Sequence, residues 1–332
     1  PVYRREHDQS AVQRPAPQDW RGGHVSKTVT NIPLFPTTCA ICGPGISASE
    51  LYPPRFQDES FCPEKFSARR TPDRTHFRIV RCDHCGLLRS DPITDFEHLS
   101  NLYKQSSFDY KTEVESIQRT YGRYLRKLES LGGSKGSLLE IGCGNGFFLE
   151  EALHQGYQEV LGVEPSSIAR EKASPHIRER IHSDMFRPGL FSESRFDVIC
   201  FFQVLDHLPD PARILAESHR ILRPGGFVLC LNHNCEAFSA HLLQERSPII
   251  DIEHTFLYST RTLSVLLKKC GFRIAQTGTV FNRYSLSYLV RLFPFPSPLK
   301  KLILGTLQTL KLDSFQILAP LGNLLLIGQK AQ

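Results

Sequence analysis

The sequence lacks the features of an exported or membrane-spanning chain. None of its apolar runs approaches the roughly 18 to 20 residues that a helix needs to cross a bilayer. The first ten residues, PVYRREHDQS, do not contain the apolar core of a signal peptide. We therefore expect a cytoplasmic protein without a transmembrane segment. Because the chain begins at Pro1 rather than Met, the existence of an upstream segment stays open.

A strong charge of either sign is also missing. The 332 residues carry a net charge of +6, which is small for this length and is not gathered into one basic stretch. This argues against nucleic acid as a partner. With 40% hydrophobic and 22% charged residues, the composition is that of a soluble globular protein with one full-sized core and a smaller module. The oligomeric state is not indicated.

The N-terminal part divides into two segments. Residues 1–35 are rich in Arg, Gln, Pro and Thr and show no periodicity, which predicts a flexible tail. Residues 36–95 contain the phrase C-x-x-C-G twice, and ten cysteines in a chain without export signals are expected to be thiols or metal ligands. Two such turns can bring four thiolates together around one ion. We predict a closed, structural zinc-ribbon site with the ligands Cys39, Cys42, Cys82 and Cys85.

Two alternatives to this metal site stay open. The cysteines could be two unrelated thiol pairs. The segment between the pairs is longer than is usual for a zinc ribbon, and it adds three candidate substitute ligands, Cys62, His76 and His84.

From residue 96 onward, helical and apolar patterns alternate. A helical pattern covers about residues 116–131, and it is followed by short apolar runs at residues 137–142, 159–164, 181–184, 196–202 and 226–232. Amphipathic helical stretches lie between these runs, which predicts an α/β fold with a parallel sheet covered on both faces. Ligands of such sheets bind at the carboxyl ends of the strands. The polar landmarks of this region fall at those ends.

The stretch LLEIGCGNGFFLEEAL is the first landmark. Gly142, Gly144 and Gly146 read G-x-G-x-G, and Phe147 stands where a dinucleotide fingerprint needs its third glycine. The lysine of a phosphate-binding P-loop is also absent. Glu140 would repel a pyrophosphate but attract a cation. A ligand with an ammonium group fits this turn better than a nucleotide phosphate does.

Two further carboxylates suit an adenosine group. Glu164 ends the second strand, twenty positions after Gly144, where a carboxylate would accept hydrogen bonds from ribose hydroxyls. Asp184 follows the third strand and is next to Met185 and Phe186, which could flank an adenine ring. Each feature alone could be architectural, as a helix cap or a solvated strand end. Together they are hard to explain by coincidence.

Five motifs in order resemble those of class I S-adenosylmethionine-dependent methyltransferases: EIGCGNG, GVEPS, SDMF, FDVICFFQVLDHLPDP and ILRPGGFVL, within about Leu138 to Phe281. The resemblance implies a Rossmann-like sheet of seven strands over residues 96–332, with S-adenosylmethionine as cofactor. It also implies the cofactor-binding residues, in chain order Glu140, Gly142, Cys143, Gly144, Gly146, Glu164, Pro165, Asp184, Met185, Gln203 and His207. For His207 we favour an orienting role.

The acceptor side is less well determined. No N-P-P-Y stretch, typical of nucleobase amino methyltransferases, follows the fourth strand. The segment PIIDIEHTFLYS resembles the Y-x-E-H-x-x-Y-x-S element of zinc-ribbon methyltransferases that include nucleotide-sugar C-methyltransferases, whose histidine acts as base. The resemblance implies His254 as base, with Glu253 and Tyr258 as its partners, while Asp251 stands in place of the first tyrosine. His233 is a rival base, and a structural role for His254 stays open.

A helical insert is predicted at about residues 282–318, with leucines and lysines at helical spacing. It either packs on the sheet, forms a dimer contact, or offers a surface to lipid-linked acceptors. We therefore expect methyl transfer to carbon or oxygen of a small-molecule or sugar-type acceptor. The alternatives are a zinc-ribbon RNA base methyltransferase and a non-catalytic cofactor-binding scaffold.

Overall fold

The computed structural model describes residues 32–57, 61–66, 73–105, 114–293 and 295–332. The predicted flexible tail, residues 1–35, lies almost wholly outside the described residues. Among the described residues, none of the helices combines the length and the hydropathy that crossing a bilayer requires.

The N-terminal part contains short strands followed by three helices: β1 (Leu34–Phe35), β2 (Ala48–Tyr52), β3 (Ile79–Cys82), β4 (Leu88–Ser90), β5 (Ile93–Thr94), α1 (Phe96–Gln105), α2 (Val114–Leu125) and α3 (Lys127–Ser130). The remaining elements alternate between strand and helix: β6 (Ser137–Ile141), α4 (Phe147–His154), β7 (Glu159–Val163), α5 (Ser167–Glu171), α6 (Pro175–Arg178), β8 (Ile181–His182), β9 (Phe196–Phe202), α7 (Pro211–Ile221), β10 (Leu222–His233), α8 (Phe238–Leu243), β11 (Phe256–Leu257), α9 (Thr260–Lys269), β12 (Phe272–Ser285), α10 (Leu286–Leu292), α11 (Ser297–Thr309) and β13 (Gln316–Lys330).

The main sheet has seven strands in the order β8-β7-β6-β9-β10-β13-β12. The pairs from β8 to β10 are parallel, and β13 lies antiparallel between β10 and β12. Every residue of β6 is buried because helices cover both faces of the sheet. The strand order reverses between β6 and β9, which is where open α/β sheets bind ligands. The predicted Rossmann-like sheet of seven strands is confirmed.

The predicted helical insert is shorter than expected. β12 and β13 continue past the body of the sheet as a two-stranded ribbon, with pairs from Asn282 opposite Ala319 to Ser285 opposite Gln316. Only α10 and α11, at the tip of this ribbon, are helical. Cross-strand hydrogen bonding therefore extends into both ends of the predicted insert, whereas the residues at helical leucine spacing, 299–310, lie in α11 or at its end.

The second sheet joins two distant parts of the chain. Its order is β11-β4-β3-β2, and β11 pairs antiparallel with β4, with Phe256 opposite Arg89. One cluster of buried residues combines both parts: Ile79, Leu88, Ile249, Ile250 and Leu257. The predicted module, residues 36–95, is therefore completed by a segment that follows β10. The boundary predicted between residues 95 and 96 does not separate two independent cores.

Candidate active site

The turn from β6 into α4 is built on glycine. Gly142 and Gly146 both have a positive φ, 73° and 74°. A Cβ atom on Gly142 would lie 2.6 Å from Cγ2 of Val204, and one on Gly146 would lie 2.3 Å from Cγ2 of Ile177. Only glycine fits at either position. The turn therefore approaches the segment after β9 closely, and Gly142 lines a cavity at this edge of the sheet.

Glu164 holds this turn and faces the same cavity. Its carboxylate accepts the backbone N–H groups of Gly144, at 2.9 Å, and of Ser166, at 2.8 Å. Burial raises the pKa of Glu164 to about 7, against the effect of these two hydrogen bonds. Glu164 and the adjacent Pro165 both line the cavity. Because each carboxylate oxygen can accept a second hydrogen bond, Glu164 can also receive ligand hydroxyls.

Three buried polar atoms in or near the turn lack partners among the described residues, and one of them is Oδ1 of Asn145. Oε2 of Glu140 and Oε1 of Gln203 have no hydrogen-bond partner among the described residues. Burial, and then the charge of Glu164, raise the pKa of Glu140 well above its usual range. Cys143, in the same turn, has a buried thiol whose pKa is raised by burial. Buried polar atoms are normally satisfied in native proteins, so this turn fits a ligand that brings hydrogen-bond donors and positive charge.

The third predicted subsite lies at the rim. Oδ1 of Asp184 accepts the backbone N–H of Met185 at 2.8 Å, and Oδ2 lies 3.4 Å from the Arg187 guanidinium. The Asp184 side chain is 40% exposed. Met185 and Phe186 line the cavity beside it. An apolar surface next to a carboxylate suits a flat ring with an exocyclic amine.

The cavity has a volume of about 1480 Å³. Pockets for a single small molecule usually have ~300 to 1,000 Å³, so this cavity can hold a cofactor and an acceptor together. Its walls come from the cofactor turn, from the segments after β9 and β10, and from the ribbon with α10.

Three histidines surround one buried carboxylate at the wall of the cavity. Nδ1 of His233 lies 2.8 Å from Oδ2 of Asp206. Nε2 of His254 lies 3.9 Å from the same oxygen, and Nε2 of His207 lies 3.8 Å from Oδ1. The His254 ring centroid is 4.9 Å from each of the other two rings. Asp206 is only 1% exposed, so its carboxylate is surrounded by these imidazoles rather than by water.

The charge states in this cluster follow from burial. Burial alone would raise the pKa of Asp206, but the adjacent histidines hold it well below its usual range. Burial lowers the pKa of His207 to about 4, although Asp206 opposes the shift. The pKa of His254 is lowered for the same reason. At neutral pH the cluster therefore contains an ionised Asp206 with neutral His207 and His254.

The orientation of each ring differs. Nδ1 of His254 lies 2.8 Å from the Ile249 carbonyl, and the His254 side chain is 8% exposed. A carbonyl only accepts hydrogen bonds, so Nδ1 of His254 carries the proton. His233 donates its Nδ1–H to Asp206, which leaves its Nε2 as an acceptor, and its side chain is 27% exposed and lines the cavity.

Two residues of this wall were not identified from the sequence. Asp206 is not among the residues predicted from the sequence, although it is the centre of the cluster. The Tyr103 hydroxyl, on α1, lies 3.1 Å from Nδ1 of His207 and 3.5 Å from the Glu253 carbonyl. Tyr103 belongs to none of the sequence motifs. It reaches this wall of the cavity because the fold packs α1 there. Burial raises the pKa of Tyr103 well above its usual range, so the phenol stays protonated.

The predicted partners of His254 lie elsewhere. The Glu253 carboxylate is 3.7 Å from Nδ1 of His207, so it faces His207, and the acid beside His254 is Asp206. Tyr258 is 1% exposed, does not line the cavity, and donates its hydroxyl to the Leu205 carbonyl at 3.3 Å. Asp251, in place of the expected tyrosine, does line the cavity.

The four predicted metal-binding cysteines come together. Their Sγ atoms all lie within 4.8 Å of one another. Sγ of Cys39 is 3.5 Å from Sγ of Cys85, and Sγ of Cys82 is 3.9 Å from Sγ of Cys42. Four sulfurs at ~2.3 Å from one tetrahedral ion lie about 3.8 Å apart, so the set fits zinc. This four-cysteine group can hold one metal ion.

The proposed substitute ligands are not needed at this site. Nδ1 of His76 lies 2.7 Å from the Phe77 carbonyl and Nε2 lies 3.4 Å from Glu245, away from the cysteines. Cys62 is likewise outside the group formed by the described residues. Nδ1 of His84 lies 3.3 Å from Sγ of Cys42, as a hydrogen-bond partner at the edge of the set.

The cysteine site is connected to the histidine cluster. The Ser90 hydroxyl, at the end of β4, donates to the His254 carbonyl at 2.7 Å. The Ser90 backbone N–H donates to the Thr255 carbonyl at 2.8 Å. From α9, the Arg261 guanidinium donates to the Cys85 carbonyl at 3.0 Å. The strand next to the cysteines therefore fixes the backbone of His254.

Comparison with known proteins identifies the central part of the chain. Residues 114–277 match the family model described as a methyltransferase domain. An uncharacterized methyltransferase of Schizosaccharomyces pombe is 36% identical over 28% of this chain and 38% of its own length. A probable S-adenosylmethionine-dependent methyltransferase of Mycolicibacterium smegmatis is 31% identical over 46% of this chain and 58% of its own length. A ubiquinone biosynthesis O-methyltransferase of Pseudomonas aeruginosa is 28% identical over 44% of this chain and 65% of its own length.

The central part of the chain is thus similar to methyltransferases, one of which is named as a probable S-adenosylmethionine-dependent enzyme. The chain spans between 38% and 65% of the length of these three relatives. The matched region begins at residue 114 and ends at residue 277, so it includes neither the four cysteines nor the ribbon tip.

Proposed function

We propose that this protein transfers a methyl group from S-adenosylmethionine to an oxygen or carbon of a small-molecule acceptor, since residues 114–277 match the family model of a methyltransferase domain. The observation that supports the proposal best is the cavity itself. It joins the glycine turn and Glu164 to the histidines around Asp206 in one space. S-adenosylmethionine, when bound, supplies an electrophilic methyl group.

The residues that would hold the cofactor come from the ends of β6, β7, β8 and β9. Glu140 and the turn of Gly142, Cys143, Gly144 and Gly146 would hold the methionine end, where positive charge satisfies the unpartnered Glu140 oxygen. Glu164 and Pro165 would hold the ribose, and Asp184 and Met185 the adenine. Gln203 and His207 would lie beside the cofactor.

We propose His233 as the general base. Its Nδ1–H is held by the ionised Asp206, which fixes the tautomer and leaves Nε2 free to accept a proton from the acceptor. Asp206 also stabilises the imidazolium that forms when the proton is taken up. His233 is the more exposed histidine of the His233–His254 pair and lines the cavity.

His254 is suited to a positioning role instead. Although His254 also lines the cavity, its Nδ1 proton is already donated to the Ile249 carbonyl, and its Nε2 lies 3.9 Å from Oδ2 of Asp206. Tyr258, buried behind the cavity wall, orders the Leu205 carbonyl next to Asp206. Glu253 orders His207.

An oxygen acceptor is favoured by two facts. Several relatives are named as O-methyltransferases, and deprotonation by an Asp–His pair suits a hydroxyl nucleophile. The sugar-type acceptor implied by the EHTFLYS element is the second choice, because Asp251 replaces its first tyrosine.

We also propose that the four-cysteine group binds a structural zinc ion. A closed set of four thiolates leaves no open position for substrate, so the ion would contribute folding free energy rather than chemistry. The residues concerned are Cys39, Cys42, Cys82 and Cys85.

The experiment that tests the function is an acceptor search. The purified protein is incubated with a cell extract and methyl-labelled S-adenosylmethionine, and the fractions are searched by mass spectrometry for molecules that gain one methyl group. Glu164→Ala, expected to bind the cofactor poorly, is the control. If the protein binds S-adenosylhomocysteine but no fraction of the extract gains the methyl label, the result would contradict catalysis and favour a non-catalytic scaffold. Methyl label in the RNA of the extract would favour a zinc-ribbon RNA base methyltransferase.

A metal requirement at the cluster is checked in the same assay. Asp206, His233 and His254 lie close enough to share one ion. If dialysis against a weak chelator abolishes turnover while the zinc content stays constant, the assignment of His233 as a general base held by Asp206 is wrong.

A further inference from the structure

The tip of the ribbon is the most apolar exposed part of the molecule. We call residues 281–318 the arm; it contains the distal ends of β12 and β13 with α10 and α11. Of the fourteen large hydrophobic residues that are exposed among the described residues, nine lie in the arm: Phe281, Phe293, Phe295, Leu299, Leu302, Leu310, Leu312, Phe315 and Leu318. Such a concentration marks an interaction surface rather than scattered surface residues.

α11 is not packed on the sheet. None of its side chains, all of which are described, is buried, and it packs mainly against α10. Leu302 is 67% exposed, and Leu299 and Leu310 are 42% and 59% exposed. The sequence-based expectation of a helix packed over the sheet is therefore wrong for the described arm. Its apolar face is available to a partner.

The charges of the arm are almost all positive. It contains a single acid, Asp313, and five cations: Arg283, Arg291, Lys300, Lys301 and Lys311. Leucine and phenylalanine flanked by Lys and Arg are typical of helices that lie in the interface of an anionic bilayer. In a two-fold contact between copies of the arm, these cations would face one another, which disfavours self-association.

The arm is continuous with the cavity. Tyr288, Leu289, Arg291 and Phe293 belong to α10 or follow it, and all four line the cavity. A molecule anchored in a bilayer beneath the arm would therefore meet an apolar and cationic entrance to the space that contains Glu164 and His233.

We propose that the arm docks on an anionic lipid bilayer and that the methyl acceptor is an amphiphile held in that bilayer. The nature of the acceptor rests on the proposed function, whereas the docking of the arm on a bilayer does not. Apolar side chains of α11 enter the acyl boundary, while Lys300 and Lys301 contact anionic headgroups. The acceptor keeps its apolar tail at the arm and places its polar group in the cavity.

Docking is tested by flotation of the full chain with vesicles of phosphatidylcholine, with and without phosphatidylglycerol. We expect binding to the anionic vesicles that weakens as salt is raised. Leu302→Glu should reduce binding about 10-fold or more, and the neutralising double variant Lys300→Gln, Lys301→Gln about 30-fold, at roughly one kcal/mol for each of the two surface cations. Val265→Glu, at a 40% exposed apolar position on α9, is the matched control and should bind like the wild type.

Three results would overturn docking: no binding to either vesicle, equal binding by Leu302→Glu, or a dimer in light scattering that Leu302→Glu converts to monomer. The last would assign the arm to a second copy. Calorimetry with S-adenosylhomocysteine, expected to be unchanged in all variants, separates these outcomes from failure of the proposed function. For the acceptor, methyl label should enter the chloroform-soluble fraction of an extract; label confined to water-soluble molecules would refute the amphiphile.

Discussion

The two sides of the cavity are assembled in opposite ways. The cofactor side comes from consecutive strand ends, and its key contact, from the Gly144 N–H to Glu164, spans only 20 residues. The acceptor side combines α1, the segment after β9, the end of β10 and the segment before β11. Ser90 and His254, whose contact supports this side, are 164 residues apart.

This difference separates cofactor binding from turnover. Changes to the cysteine site, to His233 or His254, or to β4 should alter turnover with little change in cofactor affinity. Changes to the glycine turn or Glu164 should lower cofactor affinity directly.

Removal of the metal should separate the two sides most strongly. We expect about one zinc per chain, and a structural site of this kind contributes on the order of 10 kcal/mol to folding. Cys82→Ser or strong chelation should release β4 from β11 and abolish turnover, while S-adenosylhomocysteine still binds. Elemental analysis, circular dichroism and calorimetry measure these effects. Cys62→Ser, outside the metal group, is the control; absence of zinc with four freely titratable native thiols would refute the site.

Loss of the base should affect only chemistry. His233→Asn should lower turnover about 100-fold or more, the scale of general-base catalysis, without changing affinity for S-adenosylhomocysteine. His254→Asn is the matched comparison and should lower turnover less, because its ring already donates to the Ile249 carbonyl. Steady-state kinetics on the identified acceptor decides between them. A larger loss in His254→Asn would reverse the two assignments.

Loss of the Glu164 carboxylate should affect only the cofactor. Glu164→Ala should weaken cofactor binding by about 1 to 3 kcal/mol, since ligand hydroxyls and the Gly144 N–H lose a charged acceptor. Calorimetry with S-adenosylhomocysteine measures the change, with Glu171→Ala, an exposed acid on α5, as control. Unchanged affinity would remove Glu164 from the site.

The buried histidines should make the acceptor side sensitive to acid. The pKa of His207 is about 4 in the fold, because of burial, and about 6.5 when unfolded. The unfolded state therefore binds more protons between these values, and stability falls as pH falls through this window. Between pH 7 and 5, His207 should account for about 2 kcal/mol of this loss. Melting curves of His207→Gln should show a shallower pH dependence; an identical slope would contradict a neutral, buried His207.

The smallest effect is expected at the contact between the sheets. Ser90→Ala removes the hydroxyl that donates to the His254 carbonyl, which should cost about 0.5 to 1.5 kcal/mol of stability and reduce turnover a few-fold. Ser264→Ala removes a comparable bond to the Thr260 carbonyl within α9 and should leave turnover unchanged. Equal turnover in Ser90→Ala would show that β4 does not position His254.

The strands and the glycine turn of the cofactor side could be predicted from the sequence because their signals are local. Strands β6, β7 and β9 and the glycine turn each require a few adjacent residues with a definite pattern. Tyr103 and the role of Asp206 could not be read in this way, since their partners are set by the packing of α1 and by the end of β10. The two-residue strand β11 is too short to give a pattern. The ribbon extension escaped prediction because its paired stretches, residues 282–285 and 316–319, have only four residues each.

The pairing of β11 with β4 has a consequence for biosynthesis. When the cysteine sheet emerges from the ribosome it has only three of its strands, and β4 presents a free edge. The residues that cover this edge follow about 164 positions later. At a translation rate of ~5 to 20 residues per second, the edge of β4 stays unpaired for roughly 10 to 30 seconds. During that interval the nascent chain is exposed to pairing with other strands, so zinc loading and chaperone binding at this stage would influence the yield of folded protein.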